Sequence, residues 1–396
     1  MIILVINSGS SSLKYQVRDT NSNAKIPVLA EGIVERIGTD GSNYTHEDHI
    51  TGKETEKTVD IPDHAVAFDL IYQEIQKSLG DTNIDAVGHR VVHGGEIFKA
   101  PTKITPKVTE QIEELSPLAP LHNPANALGI KAITQKFPEM PQVAVFDTAF
   151  HTTLPEKAWR YALPNELYEK YGIRRYGFHG TSHDFVSKKA AEFLGLDSAD
   201  FDGVIAHIGN GASLSAIKNG ESIDTSMGFT PLAGLVMGTR TGDIDPSILV
   251  FLGRKGYSPD DIDDILNKQS GYKGLNGESD MRSIVEKMES GDEQAKLALE
   301  IGTYNLAKYI AGYHIAVGGM KALVFTAGVG ENSSPFREQA VDNLAPLGIK
   351  LDKEANNVRS KEIRNIATED SSIPVLVIPT NEELYIAQAT EATLEQ

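Results

Sequence analysis

The sequence opens with Met1-Ile-Ile-Leu-Val-Ile-Asn-Ser-Gly-Ser-Ser-Ser-Leu-Lys-Tyr-Gln-Val17, and this stretch decides the fold. Met1 to Ile6 is apolar throughout and predicts a buried first strand. Asn7 to Ser12 contains small polar residues and predicts a tight turn. Alternating apolar and polar residues from Leu13 to Val17 predict a second strand, and Leu29 to Val34 predicts a third. The chain is therefore expected to begin with a β-meander.

A segment in the middle of the chain repeats this arrangement. Val204 to Ile208 predicts a buried strand, Gly209-Asn-Gly-Ala-Ser213 predicts a small-residue turn, and two short strands are predicted at residues 214–217 and 222–225. Two similar units indicate an internal duplication, with two related lobes and a cleft between them. The alternative is that small-residue turns are common in any hairpin. Strand-like and helix-like patterns alternate elsewhere, which favours α/β architecture.

Several helices are predicted between and after the meanders. Residues 64–79 and about 293–317 have helical patterns. A helix that stops at Gly195 is predicted to begin with a capping box formed by Thr181 and Asp184. Another helix is predicted to have Asp245 as its N-cap and Pro246 at its first position. Further buried strands are predicted at residues 86–92, 143–146 and 323–327.

The bulk composition limits what the protein is expected to bind. The chain has 396 residues, which favours two domains, and 40% of them are hydrophobic, an ordinary globular proportion. With 37 basic and 55 acidic residues the net charge is −18, so nucleic acid and membrane are not expected partners. The absence of cysteine excludes thiol catalysis and disulfides. The opening apolar run is too short for a signal peptide or a membrane span, so a cytoplasmic location is expected.

The two small-residue turns are candidate phosphate sites. Closely spaced backbone N–H groups with serine hydroxyls can surround phosphate oxygens. Lys14 adds a positive charge near the first turn. The Walker pattern and the dinucleotide pattern G-x-G-x-x-G are both absent from the sequence. Ordinary hairpin turns and a solvated Lys14 are the alternatives.

Polar side chains at the ends of apolar segments are candidate catalytic groups. Arg90 lies in an apolar strand, so its partner is expected to be either a bound anion or a buried carboxylate. Asp147 directly follows a strand, and His179 precedes a helix, both places where α/β proteins bind ligands. Arg240 lies in a long Gly- and Thr-rich loop, residues 224–246, and such loops are usually functional.

Acidic residues near the C-terminus are candidate metal ligands. Glu382 and Glu383 follow an apolar strand, where they could equally serve only to complement the dipole of a helix start. No His or Asp cluster has the spacing of a transition-metal site. A hard ion such as Mg²⁺ is therefore the metal to expect.

Together these segments resemble the acetate kinase family almost from end to end. The resemblance lies in eight stretches that occur in order: residues 7–14 (NSGSSSLK), 89–95 (HRVVHGG), 146–151 (FDTAFH), 176–183 (YGFHGTSH), 207–211 (HIGNG), the loop that ends at Pro246, 328–332 (GVGEN) and 380–383 (TNEE). It implies two duplicated actin-like ATPase (ribonuclease H-like) domains of the α/β class, with an interdomain cleft. The domains would be residues 1–150, with residues 382–396 packing back onto them, and a nucleotide-binding domain of residues 151–381.

The resemblance also implies roles for individual residues. Asn7 and Glu382 would hold Mg²⁺, or Mn²⁺ in its place, with Glu383 as the alternative to Glu382. His179 and Arg240 would stabilise the transferring phosphoryl group, and Asp147 would act either as an acid or base or by positioning metal or water. Arg90 would bind the acetate carboxylate, and the methyl group would contact Val92, Leu121, Phe178 and Pro231. The nucleotide would contact Ser10, Ser12, Lys14, His207, Ile208, Gly209, Asn210, Gly211, Asp280, Met281, Arg282, Gly328, Val329, Gly330, Glu331 and Asn332.

The activity implied by the resemblance is direct in-line phosphoryl transfer from ATP to acetate, which gives acetyl phosphate and ADP. A carboxylate is already ionised at neutral pH, so cations and orientation matter more than a general base. One alternative is the same chemistry on propionate or butyrate, although Val92 would narrow the pocket. An alternative of another class is a nucleotide-regulated binding module like actin or the chaperones. A homodimer is usual in the family.

Overall fold

The first meander predicted from the sequence is present and has two more strands than expected. In the computed structural model, which describes residues 1–21 and 27–396, five antiparallel strands follow one another. They are β1 (Ile2–Ser8), β2 (Ser12–Asp19), β3 (Val28–Glu35), β4 (Asn43–Asp48) and β5 (Lys53–Thr58). The last two were not predicted, because β5 is polar throughout and mostly exposed, and Tyr44 is the one apolar residue of β4, so neither strand has an apolar alternation.

The first sheet continues through parallel strands. After α1 (His64–Leu79) the chain forms β6 (Ala86–Val91), β7 (Thr102–Lys103), α2 (Pro106–Glu114), α3 (Asn123–Lys136) and β8 (Gln142–Phe146). Strand β6 lies parallel to β1, and β8 lies parallel to β6. The predicted helix at residues 64–79 is confirmed, and it begins where Asp63 accepts a hydrogen bond from the Val66 amide.

The first strand is buried on both faces, as its apolar sequence predicts. Leu4 and Ile6 pack in one cluster with Ile71 and Ile75 of α1 and Ile133 of α3. The alternate residues point to the other face, because successive side chains of a strand point in opposite directions. A second layer is therefore needed on that face, and the C-terminal segment supplies it, as described below.

The second half of the chain builds a similar sheet. Helices α4 (Glu156–Trp159), α5 (Asn165–Tyr171) and α6 (Gly180–Phe193) precede a meander of β9 (Gly203–Ile208), β10 (Ala212–Lys218) and β11 (Glu221–Thr225). Five helices follow: α7 (Ser247–Arg254), α8 (Pro259–Lys268), α9 (Gly271–Asn276), α10 (Met281–Glu289) and α11 (Glu293–Ala316). The remaining elements are β12 (Ala322–Thr326), α12 (Ala327–Asn332), α13 (Ser334–Asp342), α14 (Lys353–Asn357), β13 (Arg364–Asn365) and β14 (Val375–Val377). Short 3₁₀ helices lie at Ser116–Leu118, Ala149–Thr153, Ser198–Asp200 and Ala345–Leu347.

The two sheets share one strand order, which confirms the predicted duplication. The first sheet contains the order β3-β2-β1-β6-β8, and the second contains β11-β10-β9-β12-β14. Each order has three antiparallel strands and, beyond them, two strands that run parallel to β1 in the first sheet and to β9 in the second. This is the arrangement of two duplicated actin-like ATPase domains. Every residue of β9 is buried, as expected for a strand covered on both faces.

The chain separates into two compact units. Unit 1 comprises Met1–Phe150 and Asn381–Gln396, and unit 2 comprises His151–Thr380. Within unit 1, α15 (Glu382–Leu394) returns to the first sheet and begins at Asn381, whose side chain accepts a hydrogen bond from a backbone amide of the helix. Among the helices of residues 1–21 and 27–396, none is both long and apolar enough to cross a membrane.

The packing of α15 depends on a small residue in β6. Ile386 lies in one buried cluster with Ile3 and Val5, on the face of β1 opposite to α1. A β-carbon at Gly88 would lie only 2.4 Å from Thr390 Oγ1. Glycine at this position therefore allows the helix to lie close to the sheet.

Two predicted helix starts were wrong. Helix α6 begins at Gly180, with His179 as N-cap and no side-chain cap, so the capping box of Thr181 and Asp184 does not form. His179 adopts a left-handed conformation that starts the helix earlier, and the Asp184 carboxylate pairs with Lys188 one turn on. Helix α7 begins at Ser247, one residue later than predicted, with Pro246 rather than Asp245 as its N-cap.

Candidate active site

The parallel strands of unit 1 end in polar residues at one edge of the sheet. Asn7 lies near the end of β1, Arg90 near the end of β6, and Asp147 directly after β8. The register pairs Ile6 with His89 and Val91 with Phe146, so the three polar residues share the carboxyl edge. Ligands of open α/β sheets bind at this edge.

Arg90 has a buried carboxylate partner. Its Nε and Nη2 donate to the two carboxylate oxygens of Asp147 at 3.1 and 2.6 Å, and its Nε lies 3.9 Å from Glu382 Oε2. The sequence left open whether Arg90 binds an anion or forms a structural ion pair. The ion pair is present, and within the described residues Arg90 Nη1 makes no hydrogen bond, so a donor remains for an anion.

The charges of this group affect each other's ionisation. Burial raises the pKa of the Asp147 carboxyl above its usual range, and Arg90 opposes that rise. Burial by itself would lower the pKa of Arg90, but the carboxylates of Asp147 and Glu382 outweigh burial and raise it. Arg90 therefore stays charged. Two carboxylates around one guanidinium leave an excess negative charge at this edge.

A hard divalent cation fits the donor set of unit 1. Asp147 and Glu382 offer carboxylate oxygens, and Asn7 offers an amide oxygen, the ligand types that Mg²⁺ prefers. The excess negative charge around Arg90 favours a cation as well. Glu383 Oε1 pairs with Lys14 Nζ at 2.5 Å, so a lysine already holds this carboxylate at the start of α15.

The turn between β1 and β2 is tight and open to solvent. The Gly9 amide donates to the Ser12 carbonyl at 2.8 Å, and His64 Nε2 donates to the Gly9 carbonyl at 2.7 Å. Ser10 is exposed, and Ser12 is partly exposed. Lys14 is also exposed, but it is paired with Glu383 and is not simply solvated.

Two buried asparagines support this edge, and the sequence argument missed them. Asn126 accepts a hydrogen bond from the Val92 amide at 3.0 Å and donates to the Ser8 carbonyl at 2.8 Å. The Asn123 side chain likewise accepts a hydrogen bond from the His93 amide and donates one to the His93 carbonyl. They fix the ends of β1 and β6 next to Asn7 and Arg90. Buried asparagines at the start of an otherwise apolar helix were the available signal.

The predicted walls of the methyl pocket lie in different surroundings. In unit 1, Val92 is buried, but Leu121 is 69% exposed in the segment before α3. In unit 2, Phe178 is buried, and its carbonyl accepts a hydrogen bond from His151 Nε2 at 2.9 Å. Pro231 is partly exposed and contacts Arg240 through its carbonyl.

Four histidines lie together in unit 2. The rings of His179 and His207 stack with centroids 4.2 Å apart, and the ring of His183 lies 5.6 Å from that of His151. Ser213 Oγ lies 2.9 Å from His179 Nδ1 and 2.8 Å from His183 Nε2. His179 is therefore held by a ring stack and a hydrogen bond.

Arg240 differs from Arg90 in having no carboxylate partner within the described part of the chain. Its Nη1 donates to the Pro231 carbonyl at 3.3 Å. Burial lowers the pKa of its guanidinium from the usual value. A β-carbon at Gly211 would lie 3.5 Å from this Nη1 and 3.6 Å from His179 Nε2. The structure thus brings His179, Arg240 and the Gly211 backbone together.

The predicted nucleotide turn at residues 207–211 connects β9 to β10. The Gly209 amide donates to the Gly211 carbonyl at 3.0 Å, and Asn210 is exposed at the tip. Gly238 of the long loop packs against Asn210, where a β-carbon would lie only 1.8 Å from Asn210 Oδ1. His207 and Ile208 are buried in β9, so the exposed part of this run is mostly backbone.

The other two predicted nucleotide segments lie at the start of α10 and within the short helix α12. Asp280 caps α10 and pairs with Arg282 at 2.8 Å, whereas Met281 is buried. Gly328, Val329, Gly330, Glu331 and Asn332 form most of α12, directly after β12. Glu331 Oε1 accepts hydrogen bonds from the amides of Ala327 at 2.8 Å and Thr380 at 3.0 Å, so this carboxylate joins two chain segments.

Backbone strain occurs at two of these positions. His179 and Ala327 have φ values of 55° and 66°, in the left-handed region that side chains other than glycine rarely adopt. Each residue starts a helix of the candidate site. Such strain costs on the order of 1–3 kcal/mol and often accompanies function.

Unit 1 also contains a histidine-carboxylate group at β3 and β4. Strand pairing places Glu31 opposite Glu47, and ligand atoms of Glu31, Glu47 and His49 lie within 4.8 Å of one another. The sequence spacing does not suggest this group, because it forms only through the pairing of β3 and β4. His49 already contacts both carboxylates, at 3.0 and 3.5 Å.

Similarity to known proteins agrees with this arrangement. Residues 2–388 match the model of the Acetokinase family. The chain belongs to this family. It is 61% identical over 394 residues to an acetate kinase of Arthrobacter sp. (strain FB24), with 100% of this chain and 99% of the relative covered.

Two solved kinase structures share the fold over the whole chain. The chain superposes on acetate kinase of Porphyromonas gingivalis with a TM-score of 0.93 and 44% identity, covering 99% of both chains. A propionate kinase of Francisella tularensis superposes with a TM-score of 0.93 and 42% identity, again over 99% of both chains. All the candidate residues described above lie within the matched residues 2–388.

Proposed function

We propose that this acetokinase transfers a phosphoryl group reversibly between ATP and acetate, giving acetyl phosphate and ADP. The observation that carries the proposal is the partly buried Arg240 guanidinium, which has no carboxylate partner among the described residues and converges with His179 at Gly211. Such a cation needs an anion, and the charge of a transferring phosphoryl group is a suitable one.

The chemistry needs cations more than bases. The acceptor carboxylate is ionised at neutral pH, so the barrier is mainly repulsion between two anions. His179 and Arg240 would bind the equatorial oxygens of the phosphoryl group. Arg90 would bind the acceptor carboxylate through the donor that Asp147 leaves unused.

We further propose Mg²⁺ as the metal, held by Asn7 and Glu382, with Mn²⁺ as a substitute. Bound Mg²⁺ would offset the negative charge of the ATP phosphates. Asp147 is paired with Arg90, so its role in the proposal is to position that guanidinium and water near the metal. A proton-transfer role for Asp147 is not required by the chemistry.

The nucleotide would bind through backbone groups. The turn at residues 209–211, with Asn210 exposed at its tip, and the segments at the start of α10 and in α12 would supply amides to phosphate and ribose oxygens. Ser10, Ser12 and Lys14 would contact the phosphates. Lys14 would then exchange its present partner, Glu383, for the nucleotide.

Propionate is the second candidate acceptor, because a propionate kinase has the same fold over the whole chain. One methylene changes binding in an apolar pocket by only ~1–3 kcal/mol, so overlap between the two acids is expected. Val92, which is buried, would favour the smaller acid.

A hydroxamate assay for acyl phosphate tests the proposal. Purified protein is incubated with Mg²⁺, ATP and acetate, propionate or butyrate in parallel. The expected result is the highest kcat/KM for acetate and no product after chelation of the metal. Absence of acyl phosphate with all three acids, in either direction of the reaction, would refute it.

We also propose that the chain forms a homodimer through helix α7. None of the residues of α7 is buried, although its sequence is apolar, and Phe251 is 58% exposed. Ile248 and Val250 are also exposed on this helix. A second copy of the chain would bury this face.

Light scattering during gel filtration tests the dimer. Phe251→Glu should yield monomers, whereas Leu128→Glu, at an exposed apolar residue of unit 1, should leave the dimer intact. A monomeric wild-type protein would exclude the proposal.

A cytoplasmic location stays a prediction.

A further inference from the structure

One serine connects the predicted catalytic histidine to a buried histidine that has no assigned role. Ser213 in β10 is fully buried, and its Oγ lies 2.9 Å from His179 Nδ1 and 2.8 Å from His183 Nε2. A serine hydroxyl has a single hydrogen to donate. Among the described residues Ser213 Oγ has no other hydrogen-bond partner, so this hydrogen goes to one ring and the oxygen accepts from the other ring.

The surroundings of His183 decide the direction. His183 is fully buried, and its other ring nitrogen, Nδ1, has no hydrogen-bond partner in the part of the chain that the structure describes. A neutral imidazole carries its hydrogen on one nitrogen only. Buried N–H groups without an acceptor are rarer in proteins than buried acceptors without a donor. The hydrogen of His183 is therefore on Nε2, and it is donated to Ser213 Oγ.

We propose that His183 and Ser213 form a relay that fixes His179 as its neutral Nε2–H tautomer, with Ser213 donating to His179 Nδ1. The relay makes His183 and Ser213 positioning residues, since they act through His179. The inference rests on the proposed function for its catalytic consequence. The tautomer itself does not depend on that function.

His151 shows the same arrangement, and its partners fix the direction of both hydrogen bonds of its ring: one partner is a carbonyl and the other a serine hydroxyl. Its Nε2 donates to the Phe178 carbonyl at 2.9 Å, because a carbonyl can only accept. Its Nδ1 must then accept, and Ser222 Oγ lies 2.8 Å away as the donor. The same hydroxyl-to-Nδ1 pattern is assigned to Ser213 and His179.

His183 is suited to a fixed relay because it stays neutral. Burial lowers the pKa of its imidazole well below the usual value, and the neighbouring His151 and His207 lower it further. The hydrogen on Nε2 therefore stays in place throughout the range where the enzyme would work.

The fixed tautomer has a chemical consequence at the site. His179 Nε2 and Arg240 Nη1 both lie close to the position that a β-carbon at Gly211 would occupy. An N–H at this nitrogen can donate to a phosphoryl oxygen, whereas a lone pair would repel it. A neutral donor also avoids like-charge repulsion with Arg240.

Nitrogen NMR of histidine-labelled protein tests the tautomer directly, without substrates. The His179 signals are assigned by comparison with His179→Gln. In the wild type, His179 Nδ1 is expected to show the shift of an unprotonated nitrogen and Nε2 that of an N–H nitrogen. In Ser213→Ala the two signals should move towards averaged values. The opposite tautomer, or unchanged signals in Ser213→Ala, would overturn the relay.

Kinetics test the consequence with a matched control. Ser213→Ala should lower kcat roughly tenfold or more with little change in either KM, because the wrong tautomer removes a transition-state donor. Ser187→Ala removes another buried hydroxyl of unit 2, which donates to the Asp184 carbonyl of α6, and should leave kcat near normal. Equal kcat in the two variants would overturn the proposal.

A second pair of variants covers the case in which Ser213→Ala does not fold. His183→Gln keeps an N–H donor at the position of Nε2, and His183→Leu removes it. We expect His183→Gln to retain the wild-type His179 tautomer and more activity than His183→Leu. Loss of the tautomer in His183→Gln would contradict the relay. If the tautomers match but no acyl phosphate forms, the proposed function fails and the relay stands.

Discussion

At the scale of single residues, Arg90 and Arg240 are the same side chain in opposite electrostatic settings. Arg90 lies at the end of a strand and pairs with the buried Asp147 at 2.6 Å. Arg240 lies in a loop without regular structure, and within the described residues it has no ion-pair partner. The first is therefore held in place before any ligand binds. The second has its charge available for a ligand.

Replacing Arg240 tests that availability. Arg240→Ala should lower kcat on the order of a hundredfold or more, because a transition-state contact is lost. The melting temperature should change little, since no ion pair of the described residues is broken. Arg240→Lys is the matched control and should recover part of kcat by restoring the charge. Near-normal turnover of Arg240→Ala would remove Arg240 from the mechanism.

Replacing Arg90 has a structural cost as well. Arg90→Ala should raise the KM for acetate more than that for ATP. It should also destabilise the protein by about 3–5 kcal/mol, because it leaves Asp147 buried without its cation. The double variant Arg90→Ala with Asp147→Asn should recover stability but not the KM. Equal changes in the KM values for acetate and ATP would argue against a carboxylate clamp.

At the scale of elements, the long helix α11 contains two glycines in opposite situations. Gly302 is buried, and a β-carbon there would lie 2.0 Å from Tyr272 Oη. Gly312 is exposed, and no atom of the described residues lies within 4 Å of such a carbon. One glycine is required by the packing of the helix, and the other is not.

Alanine at these two positions should therefore have opposite effects. Gly312→Ala should stabilise the protein by about 0.5–1 kcal/mol, because alanine loses less backbone entropy in a helix. Gly302→Ala should destabilise it by about 1–3 kcal/mol, because Tyr272 must move. Urea unfolding of the two variants measures both values. A stabilising Gly302→Ala would show that the contact is not tight.

Element boundaries show where sequence patterns suffice. Helix α1 was predicted at both ends, because Asp63 provides a cap and the apolar spacing is regular. The start of α6 was wrong, because it depends on the left-handed backbone of His179. Strands β4 and β5 were missed, because an edge strand such as β5 lacks the apolar alternation that identifies a buried strand.

At the scale of the whole molecule, buried histidines occur in both units. Burial lowers the pKa of His89, His93 and His151 to about 4 each. In the unfolded chain a histidine has a pKa near 6.5, so between these values the unfolded chain binds more protons than the folded protein. Stability is therefore lost as the pH falls from about 6.5 towards 4.

The expected loss is measurable by urea unfolding at pH 7, 6 and 5. Each such histidine should contribute about 2 kcal/mol of lost stability between pH 7 and pH 5. His89→Gln should reduce the loss of stability between pH 7 and pH 5 by about 2 kcal/mol, the contribution of one histidine. Val87→Ala in the same strand should lower stability equally at every pH. A stability that is constant from pH 7 to pH 5 would contradict the assignment.

The sequence by itself determined the two meanders, the α/β class, the duplication and the family, because each is encoded in local spacing or in motifs that lie in order along the chain. Only the tertiary structure decided which side chains meet. It paired Arg90 with Asp147, left Arg240 without a carboxylate among the described residues, and placed Ser213 between two histidines. These contacts join residues that are 30 to 57 positions apart in the sequence, or they bring a loop onto a sheet. Their energies depend on burial and on hydrogen bonding, which local sequence patterns do not determine.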